Sequence, residues 1–356
     1  MTTSFDIDHL PGRTITHAGS EYLFFSGTAY LGLQQNPAFQ QLLVEGTNRY
    51  GTSFGSSRNG NLRLAIYEAA EAELARRISG PGTSALTVSS GMMAGQVVVQ
   101  AFRAQEATFI YAPCAHPALW NVPAPALPAG SFADWTQQLP EQLRAVTSPA
   151  PIVVLTNAID ALHSNHYSFD WVNDLPDDRP ITLVVDDSHG LGLLNGGRGI
   201  WPQLPTKENV ELLVTGSLAK AMGLPGGAVF GNPDSLDRLR KTAFFGGSSP
   251  IPPAYLDAFL KAEPLYTEAF DKLQQNLTLA EKLLGVTALF NHAKGYPVFF
   301  TEQDKLYPYL LERNIVLYSF AYPTVHDPAN TRIVISAFHE LADIQQLAYR
   351  IYDYMF

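Results

Sequence analysis

Residues 184–192 read Val184-Val185-Asp186-Asp187-Ser188-His189-Gly190-Leu191-Gly192, the end of an apolar run followed by two acids, a serine and a histidine. This run begins at 181, and others of similar length stand at 108–111, 152–156 and 212–215. Continuous apolar runs suit strands that are buried on both faces, as in parallel sheets covered by helices. They predict an α/β doubly wound domain.

Polar residues follow several of these runs. In doubly wound sheets, ligands bind beyond the carboxyl ends of the strands, so these residues are expected to converge on one site. They are Ser90 and Gly91, Asn157, Asp186 to His189, and Ser217 to Lys220.

The last third of the chain has a different pattern. A long helical region at 253–284 is followed by short strands and a closing helix, which together predict a small α+β domain. The predicted divisions are an N-terminal segment 1–45 that joins the small domain, a large α/β domain 46–249, and the small domain 250–356.

Composition restricts the classes of partner. The chain of 356 residues has a net charge of −10, which argues against binding to nucleic acid or to an anionic membrane and favours a small-molecule substrate. The single cysteine, Cys114, excludes a disulfide framework and a multi-thiolate zinc site, so no metal is predicted. The first residues do not resemble a signal peptide, and no apolar run reaches 18 residues, so a cytoplasmic protein is expected.

Two segments carry residues suited to chemistry. A carboxylate at Asp186 could hold a cationic ring nitrogen and His189 could reach a neighbouring oxygen, although an Asp that caps a loop is an equal alternative. In the segment 215–227, Lys220 stands between small residues and a glycine turn, where partial desolvation favours the neutral amine needed to form an imine. Ser217 could bind a phosphate oxygen. The alternative is a surface lysine beside a glycine-rich loop.

Taken together, these segments resemble the fold type I pyridoxal-phosphate (PLP) enzymes of aminotransferase class I/II, and specifically the α-oxoamine synthases, the family of 8-amino-7-oxononanoate synthase. Further similar pieces occur in the family's order, at 30–33, 50–58, 90–94, 114–116 and 331–340. The resemblance implies a large domain with a mostly parallel seven-stranded sheet, a small α+β domain, and a homodimer with its active site at the subunit interface.

The resemblance also implies roles for individual residues. Lys220 would form the internal aldimine, Asp186 would hold the pyridinium nitrogen, His189 would bond the phenolic oxygen and His116 would stack on the ring, with Lys220, His189 and His116 as the catalytic groups. The residues implied at the phosphate are Ser90, Gly91, Met92 and Ser217, with Ser248 or Ser249 supplied by the partner subunit.

For the substrate, the resemblance implies that Arg332 pairs with an amino-acid carboxylate. A loop role for His116 and a structural ion pair for Arg332 are the alternatives. Thr28, Asn157 and Ala161 depart from the family's residues in a region that holds the substrate.

The reaction implied is condensation of a small amino acid with an acyl-CoA. An aminotransferase or another PLP enzyme is the near alternative, and a catalytically silent scaffold dimer is the alternative of another class.

Overall fold

The computed structural model describes residues 5–321 and 329–356. The chain divides into two compact units. The larger unit comprises residues 41–159 and 167–262, and the smaller comprises the described residues up to 40, with 160–166, 263–321 and 329–356. Across the described ranges, no helix has both the length and the apolar character needed to cross a bilayer.

Thirteen strands are found in the described residues. They are β1 Thr14–His17, β2 Ser20–Phe25, β3 Ser84–Val88, β4 Thr108–Tyr111, β5 Ile152–Asn157, β6 Ile159–Asp160, β7 Asn165–His166, β8 Ile181–Asp186, β9 Val210–Ser217, β10 Gly227–Gly231, β11 Val298–Thr301, β12 Ile315–Ala321 and β13 Ala329–Val334.

The same residues contain eleven α-helical segments. They are α1 Pro37–Tyr50, α2 Ile66–Ile78, α3 Gly91–Arg103, α4 Phe132–Arg144, α5 Leu194–Gly197, α6 Pro233–Arg240, α7 Ala243–Gly247, α8 Pro253–Lys261, α9 Glu263–Leu284, α10 Leu306–Leu311 and α11 Leu341–Met355.

The larger unit is built on one mixed sheet. Its strand order is β3-β10-β9-β8-β5-β4, in which β4, β5, β8 and β9 are parallel and β10 runs antiparallel to both neighbours. The four apolar runs form these four parallel strands, and residues such as Val153, Val154 and Val184 are fully buried. Helix α3 packs on β9 and β10 and contributes Val97 and Val98 to the same core.

The number of strands differs from the seven that the resemblance implies. Among the described residues the sheet has six, and β4 lies at its edge. Between β4 and β5 the chain forms α4 and a segment at 121–130 with three prolines. Proline has no N–H to donate to a ladder, so this segment is poorly suited to add a further strand beyond β4.

The smaller unit has a five-stranded sheet of order β1-β2-β12-β13-β11, in which β12 is parallel to β2 and the other pairs are antiparallel. Helix α9 packs against α11, and α10 against β12. The short strands β6 and β7 pair with each other.

The boundaries between the two units differ from the domain boundaries predicted at residues 45 and 249. They fall at 40 and 262, and the segment 160–166 joins the smaller unit. The physical reason is the packing of α8, which lies against α2. Helix α1 also approaches α8 closely, because a Cβ added at Gly46 would stand 2.5 Å from the carbonyl oxygen of Ala254. Helix α8 is therefore part of the larger unit.

Candidate active site

The candidate site lies at the carboxyl ends of three neighbouring strands of the larger unit. In the sheet register, Asn157 at the end of β5 pairs with Asp186 at the end of β8, and Asp186 pairs with Thr215 near the end of β9. Parallel strands end at the same edge of a sheet, so the polar residues that follow them are brought together.

The loop after β9 carries Lys220. Its backbone is fixed by a bond from the Leu218 N–H to the Gly226 carbonyl and by another from the Leu224 N–H to the Leu218 carbonyl, both 2.9 Å. Lys220 Nζ lies 2.7 Å from Nε2 of His189, in the loop after β8. The loops after β8 and β9, which the sequence predicted to converge, therefore contact each other through the Lys220 amine and the His189 imidazole.

A serine also joins these loops. Ser188 Oγ accepts a 2.9 Å hydrogen bond from the backbone N–H of Ser217, and the Ser188 N–H donates to Asp186 Oδ1 at 2.9 Å. Ser217 Oγ accepts from the N–H of Ala219 at 3.2 Å. The bond from the Ser188 N–H orients the Asp186 carboxylate, which is 7% exposed.

The ring of His116 faces Asp186. His116 Nδ1 lies 3.5 Å from Asp186 Oδ2 and accepts a hydrogen bond from the Ala118 N–H at 3.1 Å. Burial lowers the pKa of His116, Lys220 lowers it further, and Asp186 opposes both effects. The neutral ring is therefore favoured, with its proton on Nε2 because Nδ1 is an acceptor.

The beginning of α3 approaches the end of β9. Ser90 caps the helix, since its Oγ accepts from the Met93 N–H at 3.0 Å. A Cβ added at Gly91 would stand 2.6 Å from Ser217 Cβ, so only glycine permits this approach. The first N–H groups of a helix have no intrahelical acceptor and favour an anion. Gly91 and the exposed Met92 occupy this first turn.

Asn157 contacts the loop that carries His116. Its Oδ1 accepts from the His116 N–H at 3.0 Å, and its Nδ2 donates to the Cys114 carbonyl at 2.8 Å. The sequence-based assignment of Asn157 to the substrate stays a prediction. The structure gives this side chain two bonds to backbone.

The structure gives the other candidate residues the following contacts. Ser248 follows α7 and its Oγ donates to the Phe245 carbonyl at 3.2 Å, with Ser249 next in the chain. In the smaller unit, Arg332 on β13 is 6% exposed and its Nη1 donates to the Ala161 carbonyl at 2.8 Å. Thr28 is half-buried in the segment after β2.

Sequence reasoning missed the function of Asp187. This side chain is buried, and its Oδ2 accepts from the Ile200 N–H at 2.7 Å, which closes the loop that begins with Ser188 and His189. Burial raises the pKa of Asp187 well above its usual range. The available signal was a second acid directly after a buried strand, but the pairing with Ile200 is not visible in sequence.

The family model for aminotransferase class I and II matches residues 30–351. The chain therefore belongs to the aminotransferase class I and II family. It is 27% identical to 8-amino-7-oxononanoate synthase of Dechloromonas aromatica, over 94% of this chain and 90% of that protein. Its identity to the enzyme of the same name from Erwinia tasmaniensis is 28%, with the same coverage.

Solved structures of the same fold are also found. A structure of SPT with a PLP internal aldimine matches with a TM-score of 0.80 at 16% identity, covering 98% of this chain and 91% of that one. The 8-amino-7-oxononanoate synthase of Francisella tularensis matches with a TM-score of 0.69 at 22% identity, covering 94% and 98%. The predicted fold type I architecture and the resemblance to α-oxoamine synthases are confirmed.

The residues at the sheet edge suit PLP. They include an amine for an aldehyde, a buried carboxylate for a ring nitrogen, two imidazoles, and a helix N-terminus that a Cβ at Gly91 would displace. This donor set matches the aldehyde, ring and phosphate of the cofactor. The protein is a PLP-dependent enzyme.

Proposed function

We propose that the protein is an acyltransferase of the α-oxoamine synthase type, which joins Cα of a small amino acid to the acyl carbon of an acyl-CoA thioester. The observation that carries this proposal is the convergence of Lys220, His189, Asp186 and His116 at one sheet edge. It is supported by relatives named 8-amino-7-oxononanoate synthase that match 94% of the chain.

Each group at the edge is assigned one part of the cofactor. Lys220 holds the aldehyde, Asp186 the ring nitrogen and His189 the phenolic oxygen, while His116 covers the ring face. The phosphate is assigned to the first turn of α3 and the neighbouring loop, at Ser90, Gly91, Met92 and Ser217. When bound, PLP withdraws electrons from Cα of an attached amino acid.

Proton movement is assigned to Lys220. Its Nζ stands 2.7 Å from His189 Nε2, so the amine has a hydrogen-bonded partner while it removes a proton from Cα or returns one. The Asp186 carboxylate, fixed by the Ser188 N–H, keeps the ring nitrogen protonated. His116 Nε2 carries the ring proton in the neutral state and is assigned as a donor to the reacting groups.

Arg332 is assigned to the substrate carboxylate. A guanidinium can bond both oxygens of a carboxylate at once, and the bond from Nη1 to Ala161 fixes the orientation of the fork. Thr28 and Asn157 are proposed to lie near the substrate.

The proposed reaction balances as follows. A bond forms between Cα and the thioester carbonyl carbon, the C–S bond breaks, and CoA leaves as its thiol after taking a proton. The amino-acid carboxylate leaves as carbon dioxide, and a proton replaces it on Cα. No oxidant or reductant is needed, and the product is an amino ketone.

The protein is proposed to act as a cytoplasmic homodimer. In this assembly Ser248 or Ser249 of one subunit reaches the phosphate bound to the other. Both serines lie between α7 and α8 in the larger unit.

The test is a panel of glycine, L-alanine and L-serine with acyl-CoAs of increasing chain length, followed by detection of free thiol. We expect thiol release that depends on both substrates and is lost in Lys220→Ala. The matched control is Lys207→Ala. Lys207 bonds the carbonyl of Asn173 and precedes β9, so it lies at the amino ends of the strands, away from the candidate site. Amination of a keto acid without thiol release would contradict the acyltransferase and favour an aminotransferase.

A further inference from the structure

Cys114 adopts a backbone conformation that L-residues rarely take. Its φ is +58°, in the left-handed region. It follows Pro113 in a turn closed by a 3.3 Å bond from the Ala115 N–H to the Ala112 carbonyl. Proline followed by a residue of positive φ is the pattern of a type II turn, in which glycine is favoured at the position of Cys114. This turn leads directly to His116.

Asn157 bridges the strained turn. Its amide donates to the Cys114 carbonyl at 2.8 Å and accepts from the His116 N–H at 3.0 Å. These two groups lie on either side of Ala115, so one side chain fixes both ends of the segment. A carboxylate at the same place could accept from His116 but could not donate to the Cys114 carbonyl.

The central sheet of the larger unit holds Asn157 in place. Asn157 ends β5 and is the register partner of Asp186 at the end of β8. Asn157 therefore sets the position of the His116 backbone relative to the same edge that carries the Asp186 carboxylate, to which the His116 ring is 3.5 Å away.

We infer that Asn157 is a positioning residue, which holds the left-handed turn at Cys114 so that the His116 ring faces Asp186. The inference deepens the proposed function, on which it rests for the contact of His116 with the cofactor. It also predicts that Asn157, although proposed to lie near the substrate, acts on it only through His116, because its side-chain bonds to Cys114 and His116 both go to backbone.

The first measurement compares Asn157→Ala with the wild-type holoenzyme. We expect kcat to fall by about tenfold to a hundredfold, as is typical when a reacting group is misplaced, while KM for the amino acid changes little. The visible circular dichroism of the bound cofactor should weaken, because its ring loses a fixed neighbour. A loss expressed mainly in KM, with an unchanged dichroism spectrum, would show instead that Asn157 contacts the substrate.

The second measurement asks whether the strain at Cys114 is the reason for the bridge. Cys114→Gly removes the side chain that disfavours positive φ, so adding it to Asn157→Ala should restore most of the lost kcat and dichroism. Cys114→Ser is the matched control, because it removes the thiol but keeps a Cβ, and it should restore neither. Equal rescue by the two variants would overturn the inference.

A control for general destabilisation is Asn209→Ala. Asn209 also bonds two backbone groups, the carbonyls of Pro176 and Arg179, but it precedes β9 at the amino end of the strands. We expect it to reduce stability while leaving kcat and the dichroism spectrum unchanged.

Unfolding equilibria decide the inference even if the proposed function fails. Without Asn157 the turn can relax, so Cys114→Gly should stabilise the protein less in the Asn157→Ala background than in the wild type. We expect the two effects to differ by about fivefold in the unfolding equilibrium constant, or about 1 kcal/mol. Additive effects would contradict the bridge, whereas a wild-type protein that binds no PLP would contradict only the proposed function.

Discussion

His339 is a buried histidine whose two ring nitrogens are both used by backbone groups of the smaller unit. Nδ1 accepts from the Ser336 N–H at 3.0 Å, and Nε2 lies 2.9 Å from the Phe24 carbonyl, to which it donates. The ring also stacks on Phe25, with centroids 4.2 Å apart. Burial lowers the pKa of His339 to about 4.

This pKa predicts a pH dependence of stability. In the unfolded chain His339 takes up a proton below about pH 6.5, whereas in the folded protein it does so only below about pH 4. The free energy of unfolding therefore falls as pH falls through this range. One unit of pKa difference corresponds to about 1.36 kcal/mol, so His339 accounts for a loss of about 3 kcal/mol in the free energy of unfolding once the pH is below about 4. Urea unfolding at pH 7, 6 and 5 measures it.

The comparison is with His339→Gln, which retains a donor and an acceptor but does not titrate. This variant is expected to be less stable at pH 7 and to lose less stability than the wild type on acidification. Equal pH slopes in the two proteins would show that His339 is not responsible. The pKa of His116 is also lowered, but its contribution is common to both proteins.

Residues of the site differ in how far sequence could predict them. Asp186, His189 and Lys220 were predicted as site residues because each follows an apolar run and because the surrounding segments resemble a family. The bonds of Asn157 were not predicted, since they depend on the conformation of Cys114 and on the register of β5 against β8. Neither of these is encoded in a local pattern.

At the scale of elements, helix α3 must begin directly beside the end of β9. The Cβ introduced by Gly91→Ala would meet Ser217 Cβ at 2.6 Å and Ser217 Cα at 2.9 Å. Since backbone has to move to relieve this overlap, we expect a loss of about 1–3 kcal/mol in the free energy of unfolding. The affinity for PLP should fall as well, by about tenfold or more, because the first turn of α3 is displaced from the phosphate.

Equilibrium titration with PLP and urea unfolding measure the two effects. Gly285→Ala is the control, because a Cβ at Gly285 meets nothing within 4 Å. Unchanged PLP affinity in Gly91→Ala would contradict the assignment of the phosphate to this helix.

Prediction of the elements succeeded where a pattern was continuous and failed where a single residue decided the outcome. The buried parallel strands were predicted from their apolar runs. The helical region at 253–284 was predicted without a break, whereas the structure has α8 and α9, divided at Ala262. Pro264 explains the division, because it has no N–H to donate to the carbonyl four residues earlier and its ring crowds that carbonyl, whereas proline is tolerated in the first turn of a new helix, where it lies in α9. Strand β10 was not predicted, because the glycines before and at its start are typical of a loop.

At the scale of the whole molecule, the surface of the larger unit is consistent with the proposed dimer. In the whole chain only 16% of the residues are charged, and in the larger unit Leu62, Met92 and Phe244 are large apolar side chains that are exposed in the single chain. Burial of these groups against another subunit would remove their apolar surface from water.

Light scattering after size exclusion is expected to give about twice the 39.0 kDa of one chain. Phe244→Asp should shift the protein towards the monomer. Activity should fall as well, because Ser248 and Ser249 of one subunit would no longer reach the site of the other. Val286→Asp is the control, since Val286 is exposed on the smaller unit. A fully active wild-type protein of 39.0 kDa would contradict the shared site.

The central claim is that one amine, Lys220, holds the cofactor. It is tested most directly by reducing the PLP-loaded protein with borohydride, digesting it and locating the modified lysine by mass spectrometry. The predicted result is a cofactor attached at Lys220 in the wild type and no attachment in Lys220→Ala. Attachment at another lysine, or equal attachment in the variant, would contradict the account.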